Sequence, residues 1–352
     1  ARSPLDGYAL RGEDTKGAGT ENPRKFRVIG KIYAGEEFSG EVAQGQAVRI
    51  MTGAPIPKGA DTVIRQEESD LGKEWVEIYR ESQPYENYCP KGEDYQKGDI
   101  LLKKGTKLDG MAVSVLASLG IFEVEVYRKV KIAVISTGSE VISPGQELRP
   151  GKIYDANLYY LYGRLAQMNV TPVLWGHCED EPGKMITMIK EAAQEADLIV
   201  TTGGVSVGEK DIMHEVIACL GAQKLFWRVE IKPGAPMLAA MYEGTLITCL
   251  SGNPYGAVVT FELLVREALE KMTMDGNWKL KKKSAILTND YPKRGGVRRF
   301  LRGYQEEGYV RIVSGNQASG ALSSILAANC LVEIKENCKG ARKGEQVWTY
   351  LL

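Results

Sequence analysis

The chain has 352 residues, more than one hydrophobic core usually serves, and roughly two to four domains are expected at that length. Lys+Arg and Asp+Glu each number 45, so the formal net charge is zero, which argues against a nucleic-acid-binding or membrane-surface protein. Only two histidines, His177 and His214, are present, which removes most zinc, triad and imidazole-base mechanisms and leaves acid–base work to carboxylates, lysines or water.

Six scattered cysteines form no CxxC pair, as suits a reduced, cytosolic compartment. No stretch reaches the roughly 18 apolar residues of a membrane-spanning helix, and the start ARSPLDGYAL lacks the apolar core of a signal peptide. Residue 1 is not Met, so further N-terminal sequence is expected ahead of it.

In chain order, SPLDGYA (3–9) puts Asp6 at an Asp-Gly turn, and alone it reads as a turn. Residues 21–98 hold short β segments, KFRVIGKIYAG, GQAVRIMTGAPIPKGADTVI and KEWVEIYRES, punctuated by Gly and Pro, and read as a β-rich domain. Within it RIMTGAP sets the Thr52 hydroxyl at a strand end. Residues 1–20 with 99–128, which include the helical pattern GTKLDGMAVSVLASLG, are expected to form a connecting domain.

Residues 129–274 alternate strand-like and helix-like segments: KIAVIS, NLYYLYGRLAQM, TPVLWGH, PGKMITMIKEAAQEA, DLIVTT, IMHEVIACLG, KLFWRVEI, GTLITCL and GAVVTFELLVREALEKM. That alternation predicts an α/β domain with a mostly parallel sheet and helices on both faces. Met185, Ile189, Ala192, Ala193 and Ala196 recur at helical spacing, as do Val258, Phe261, Leu264, Val265 and Leu269, and both sets read as core faces. The lysine run in NWKLKKKSA reads as a solvated linker, and residues 275–352 as a small C-terminal β-barrel or sandwich.

In a parallel α/β sheet, ligands bind beyond the carboxyl ends of the strands. Five returns at that end carry Gly, Pro or a carboxylate: 137–140 (TGSE), 179–182 (EDEP), 201–211 (TTGGVSVGEKD), 232–236 (KPGAP) and 251–254 (SGNP). Gly203 and Gly204 let backbone approach a ligand closely, Ser206 adds a hydroxyl, and a helix N-terminus near Asp211 favours an anion such as phosphate. A carboxylate beside an anion is repulsive unless a cation lies between them. Asp211, with Glu140 and Asp180 on neighbouring loops, therefore implies a phosphorylated ligand bridged by Mg²⁺, against plain helix capping by Asp180 and Asp211. Lys232 suits either an anion or a salt bridge with a nearby acid, and Ser251, Asn253 and Pro254 also read as an N-cap and first helical turn.

Taken together and in this order, SPLDGYA, RIMTGAPIPKGADTV, KGEDYQKGDILLKKGTKL, STGSEV, DANLYYL, EDEP, TTGGVSVGEKD, IKPGAP, SGNP and RRFLRG resemble the molybdopterin molybdenumtransferase family, the MoeA type that includes the gephyrin E domain. The resemblance implies insertion of molybdate into the dithiolene of adenylylated molybdopterin, with release of AMP and with Mg²⁺ or a similar divalent ion. It also implies an elongated homodimer of four-domain subunits, with the active site shared between the α/β domain of one and the β-domain of the other. Matching positions make Asp6, Thr52, Glu140, Asp180 and Asp211 catalytic, Asp180 and Asp211 metal-holding, and Lys232, Asn253 and Pro254 pocket-lining. Arg298, Arg302 and Ser319 become candidates for holding the oxyanion. Molybdopterin adenylyltransferase and molybdoenzyme delivery proteins are candidate partners, and a cytoplasmic location is implied.

Two positions depart from the family pattern: Ala235 where a lysine is usual, and Ser251 where a proline is usual. Losing a cation near an oxyanion while gaining a hydroxyl opens the choice between molybdate and tungstate. A non-catalytic pterin-binding or scaffold protein is the alternative reading. The adenylyltransferase of the preceding step shares the α/β domain, but its turn is usually GGTG rather than GGVSVG.

Overall fold

The structure is a computed structural model that describes residues 1–206, 211–315 and 317–352. Its contacts divide the chain into two compact units, Ala1–Thr106 and Lys107–Leu352.

The first unit is built on one five-stranded sheet. Its strands are β1 (Gly7–Leu10), β2 (Arg24–Ile32), β3 (Gln46–Ile50), β4 (Thr62–Arg65) and β5 (Trp75–Ile78), in the order β4-β1-β3-β2-β5. Only β2 and β3 run parallel. Successive side chains point to opposite faces: Tyr8 and Leu10 join Phe26, Ala47, Ile64 and Val76 on one, while Ala9 joins Val48, Ile50 and Val63 on the other. Both faces carry buried apolar side chains, which is why these strands read as short apolar runs.

The sequence places residues 1–20 in a layer with 99–128. In the structure β1 instead pairs with both β3 and β4, so residues 7–10 lie inside this sheet. Gly7 is required by that packing, because a Cβ there would meet the Ile64 carbonyl oxygen at 1.9 Å.

The second unit opens with α1 (Gly110–Ser118), where the helical pattern predicts it, and the Asp109 carboxylate caps it by accepting from Met111 N and Ala112 N. Next come β6 (Ile132–Thr137), the two-residue strands β7 (Val141–Ile142) and β8 (Ile153–Tyr154), α2 (Asn157–Gln167), β9 (Leu174–Cys178), α3 (Pro182–Ala193), β10 (Leu198–Thr202) and α4 (Met213–Cys219). Then follow β11 (Gln223–Trp227), β12 (Ile231–Lys232), β13 (Leu238–Tyr242), β14 (Thr245–Leu250), α5 (Pro254–Thr260), a π-helical turn (Phe261–Val265) and α6 (Arg266–Thr273).

Six of these strands form a sheet in the order β11-β13-β14-β10-β6-β9. Its β14-β10-β6-β9 part is parallel, and β13 and β11 extend it antiparallel. Met185, Ile189, Met213 and Val216 from α3 and α4 cover one face, and Leu158, Leu161, Ala257 and Phe261 from α2, α5 and the π turn cover the other. Both apolar stripes read from sequence are core: Met185, Ile189, Ala192 and Ala196 are buried, as are Val258, Phe261, Val265 and Leu269, with Ala193 and Leu264 partly buried beside them.

Two segments differ from expectation. KLFWRVEI is two strands rather than one, because Arg228 turns the chain at φ 70° and sends Ile231–Lys232 to another sheet. The lysine run is no linker: Lys282 and Lys283 begin a barrel strand, and Lys282 lies over the rings of Trp348 and Tyr350 at 4.8 and 5.0 Å.

The last strands are β15 (Lys282–Leu287), β16 (Arg298–Glu306), β17 (Tyr309–Ile312), β18 (Cys330–Ile334) and β19 (Gln346–Leu351). β16 pairs with both β17 and β18, which closes a five-stranded barrel and settles the choice against a sandwich. Tyr255, Val258 and Val259 of α5 bury against Phe300 and Leu331 of the barrel, fixing it to the α/β layer.

One buried ionic network ties α2 to the π turn and α6. The Glu262 carboxylate accepts from Arg164 Nε at 2.6 Å, Arg266 Nη1 at 2.6 Å and Tyr160 Oη at 2.7 Å. Glu262 is 2% exposed and Arg266 5%, so replacing the carboxylate strands buried cations. Glu262→Ala is expected to destabilise the second unit by about 3–5 kcal/mol in chemical denaturation. A midpoint equal to that of the parent protein would show that the network contributes nothing.

Candidate functional site

The carboxyl ends of β6, β10 and β14 open onto a cavity of about 610 Å³. Its walls include Glu140, Asp180, Gly203, Gly204, Ser206, Asp211, Ser251, Asn253 and Pro254, so the structure gathers these sequence candidates at one place.

Each wall has a local cause. Asp180 is aimed by β6: Thr137 Oγ1 donates to its Oδ1 at 2.9 Å and Ser139 N to its Oδ2 at 2.8 Å. Gly203 adopts φ 98°, and a Cβ there would meet the Thr137 carbonyl oxygen at 2.2 Å, so the turn after β10 needs glycine on two counts. Met213 N, at the start of α4, donates to the Gly204 carbonyl at 3.0 Å, which closes that turn onto itself. Residues 207–210 of the same motif lie outside the described residues. Ser251 is buried, and its Oγ accepts from Asn253 N at 3.2 Å, so the hydroxyl at this departing position organises the start of α5.

Asp155 is a wall residue that sequence reasoning missed. It is 6% exposed; its Oδ1 accepts from Leu158 N at 2.9 Å, while Oδ2 is buried without a hydrogen-bond partner among the described residues. The available signal was an Asp just ahead of a helix, DANL, after the short β8 strand. Asn157, next to it, donates from Nδ2 to the Gly252 carbonyl at 2.9 Å and links the α2 and α5 ends of the cavity.

Electrostatically the cavity is acidic. Glu140, Asp155, Asp180 and Asp211 line it, and no Lys or Arg does among the described lining residues. An anionic ligand can enter such a site only with a cation. Among the described residues no three acidic, thiol or imidazole groups come close enough to cage a metal.

The cationic candidates lie elsewhere. Lys232 is exposed on β12, paired with Arg299 of β16. Arg298 reaches Glu333 at 3.5 Å and Glu336 at 3.8 Å on the barrel. Arg302 is wholly buried, with its guanidinium 3.6 Å from the centre of the Tyr255 ring, and it donates to the Ala318 and Ala321 carbonyls. Ser319 offers its carbonyl to Tyr255 N at 2.8 Å, and its neighbour Gly320 is the part of that loop that reaches the cavity.

Asp6 and Thr52 belong to the first unit and hold each other: Asp6 Oδ1 accepts from Thr52 N at 2.8 Å and from Thr52 Oγ1 at 2.7 Å. These two bonds, the backbone one first, keep the Asp6 carboxyl below its ordinary range. Cys249, beneath the cavity, is a core thiol that burial pushes up to about 12, too weakly acidic to serve as a nucleophile at neutral pH.

A three-layered α/β domain with an acidic, glycine-turned cavity at its strand ends, fused to a closed β-barrel and a β-rich unit, defines a multidomain protein whose cavity is built to take a ligand. Family models match nearly the whole length: the MoeA N-terminal region (domain I and II) over residues 1–120, a probable molybdopterin binding domain over 133–271, and the MoeA C-terminal region (domain IV) over 284–352. The chain belongs to the MoeA family.

A molybdopterin molybdenumtransferase of Bacillus subtilis is 36% identical over 358 residues, covering 100% of this chain and 83% of that protein. One from Haemophilus influenzae is 36% identical over 351 residues, covering 98% and 85%. The crystal structure of a molybdopterin biosynthesis MoeA protein from Pyrococcus horikosii superposes with a TM-score of 0.88 at 33% identity, covering 99% of this chain and 87% of that one.

Gly203→Ala is expected to cost about 2–3 kcal/mol of stability, read as a lower denaturation midpoint, since both the φ and the Thr137 contact resist a Cβ. For the first unit, the Asp6 carboxyl is expected to titrate below an ordinary aspartate in a carbon-detected NMR titration. Thr52→Val removes one of its two hydrogen bonds and should raise that value. The folded-state pKa is depressed, so the contact stabilises above the unfolded value and is lost as pH falls through the folded one. An Asp6 that titrates normally in both proteins would contradict this.

Proposed function

We propose that the cavity takes adenylylated molybdopterin, and that the chain inserts molybdate into its dithiolene with release of AMP. The chain is a molybdopterin molybdenumtransferase of molybdenum cofactor biosynthesis, the activity for which its Bacillus subtilis and Haemophilus influenzae relatives are named. The observation that carries the reading is the acidic cavity at the strand ends of a chain matched by this family along nearly its whole length.

Asp180 and Asp211 would hold Mg²⁺, with the orphan oxygen of Asp155 as a further acceptor. When bound, the ion neutralises phosphate oxygens against the carboxylate walls and eases cleavage of the phosphoanhydride. Thr137 and Ser139 keep Asp180 in one orientation. Gly203 and Gly204 let phosphate approach the backbone, and the Ser206 hydroxyl donates to it. Glu140 or Asp211 orients the attacking water. In this reading the Asp6–Thr52 pair is a second part of the catalytic apparatus, Lys232 is a pocket residue, and Arg298, Arg302 and Ser319 are candidates for holding the oxyanion.

No helix among the described residues is long and apolar enough to cross a membrane. The working unit in this reading is a cytoplasmic homodimer.

The test is AMP release from adenylylated molybdopterin with Mg²⁺, comparing molybdate, tungstate and no oxyanion. Oxyanion-dependent release is expected, with a loss of about 100-fold or more in Asp211→Asn. Tight binding without release would favour a non-catalytic pterin-binding protein. Full release by Asp211→Asn would remove the bridging role of that carboxylate.

A further inference from the structure

We infer that the first unit carries an anion site of its own, for a phosphate monoester borne on a planar or apolar body. The site is the cavity over the cross-strand row Tyr8, Arg49 and Lys31. It goes beyond the transferase reading and does not depend on it.

The strand register creates the charge. Tyr8 of β1 is opposite Arg49 of β3, and Arg49 is opposite Lys31 of β2. Residues directly opposite share a face, so two cations stand side by side, an arrangement that costs stability unless an anion lies against it. Lys73, from the loop before β5, reaches the same cavity.

Among the described residues, none of these three cations has a carboxylate within ion-pairing distance. Arg49 Nη2 donates to the neutral Gln66 Oε1 at 2.5 Å, and its Nη1 is closed to water with no acceptor. Asp6 feels the charge of Arg49 but is engaged by Thr52. Among the described residues Glu67 is the one acid lining the cavity, and its Oε1 accepts from Gln66 Nε2. Positive charge therefore exceeds negative along this wall.

Size and surface point to the rest of the ligand. The cavity measures about 760 Å³, far more than a bare phosphate needs and within the range of roughly 300–1,000 Å³ typical of small organic ligands. Val28 and Leu71, the latter 56% exposed, give it an apolar side. The Arg49 guanidinium lies 4.8 Å from the centre of the Tyr8 ring, which backs one of its faces. Two adjacent cations, one a planar fork, suit a phosphate dianion better than a single carboxylate.

The test is calorimetric titration of the full chain with phenyl phosphate, inorganic phosphate and phenol. Phenyl phosphate should bind, inorganic phosphate should compete more weakly, and phenol should not bind. The double variant Lys31→Met with Lys73→Met alters exposed side chains only and should keep the unfolding temperature while weakening phenyl phosphate at least about tenfold. Arg49→Lys, which keeps the charge but loses the fork, should weaken it about threefold or more. Absence of phenyl phosphate binding, phenol binding as tightly as phenyl phosphate, or unchanged affinity in the lysine double variant would each overturn the assignment.

Discussion

The register of three parallel strands sets everything the site depends on. Thr202, the last residue of β10, is level with Ser136 of β6 on one side and Leu250 of β14 on the other. The chain must therefore leave the sheet three times at one height. The returns that follow, TGSE, TTGG and SGNP, are brought against one another before any ligand is present. Gly203 N donates to the Leu250 carbonyl at 3.1 Å, and Gly252 comes within Cβ contact distance of Gly203, so the glycines here set the spacing between returns.

From that convergence follows the electrostatic problem of the cavity. Four carboxylates face one space; Asp180 is held by the Thr137 hydroxyl and the Ser139 N–H, and Asp155 by the Leu158 N–H. Such a wall repels a bare phosphate. In the proposed function a divalent cation accompanies the phosphate and offsets that repulsion. Metal and phosphorylated ligand are thus expected to bind as a pair.

Much of this was legible in the sequence. Strand-to-helix alternation and the returns that follow the strands place Glu140, Asp180, Gly203, Asp211, Ser251 and Asn253 at one sheet edge, because a parallel sheet leaves little choice about where its loops converge. What escaped was long-range. Gly7–Leu10 carries no sign that its partners are β3 and β4, and KLFWRVEI reads as one strand because the positive φ of Arg228 has no signature in its side chain. Asp155 was hidden for a related reason: a carboxylate before a helix usually caps it, and one oxygen of Asp155 does, which says nothing about the other.

The basic residues of the barrel show how a charge expected at a ligand is drawn into the fold. Burial lowers the pKa of the Arg302 guanidinium, yet the group is stacked on Tyr255 and bonded to the carbonyls of Ala318 and Ala321. Tyr255 directly follows Pro254 of the SGNP return, and its backbone N–H binds the carbonyl of Ser319 in the same loop that Arg302 holds. One cation therefore pins a barrel loop to the first turn of α5, and Gly320 reaches the cavity as the outcome of that clamp. Arg302 and Ser319 are not among the described residues that line the cavity. A lysine at 302 would keep the charge while losing the planar stack on Tyr255. The barrel is in this sense a wall of the cavity, and its closure by β16 and β18 is what keeps Arg302 out of water.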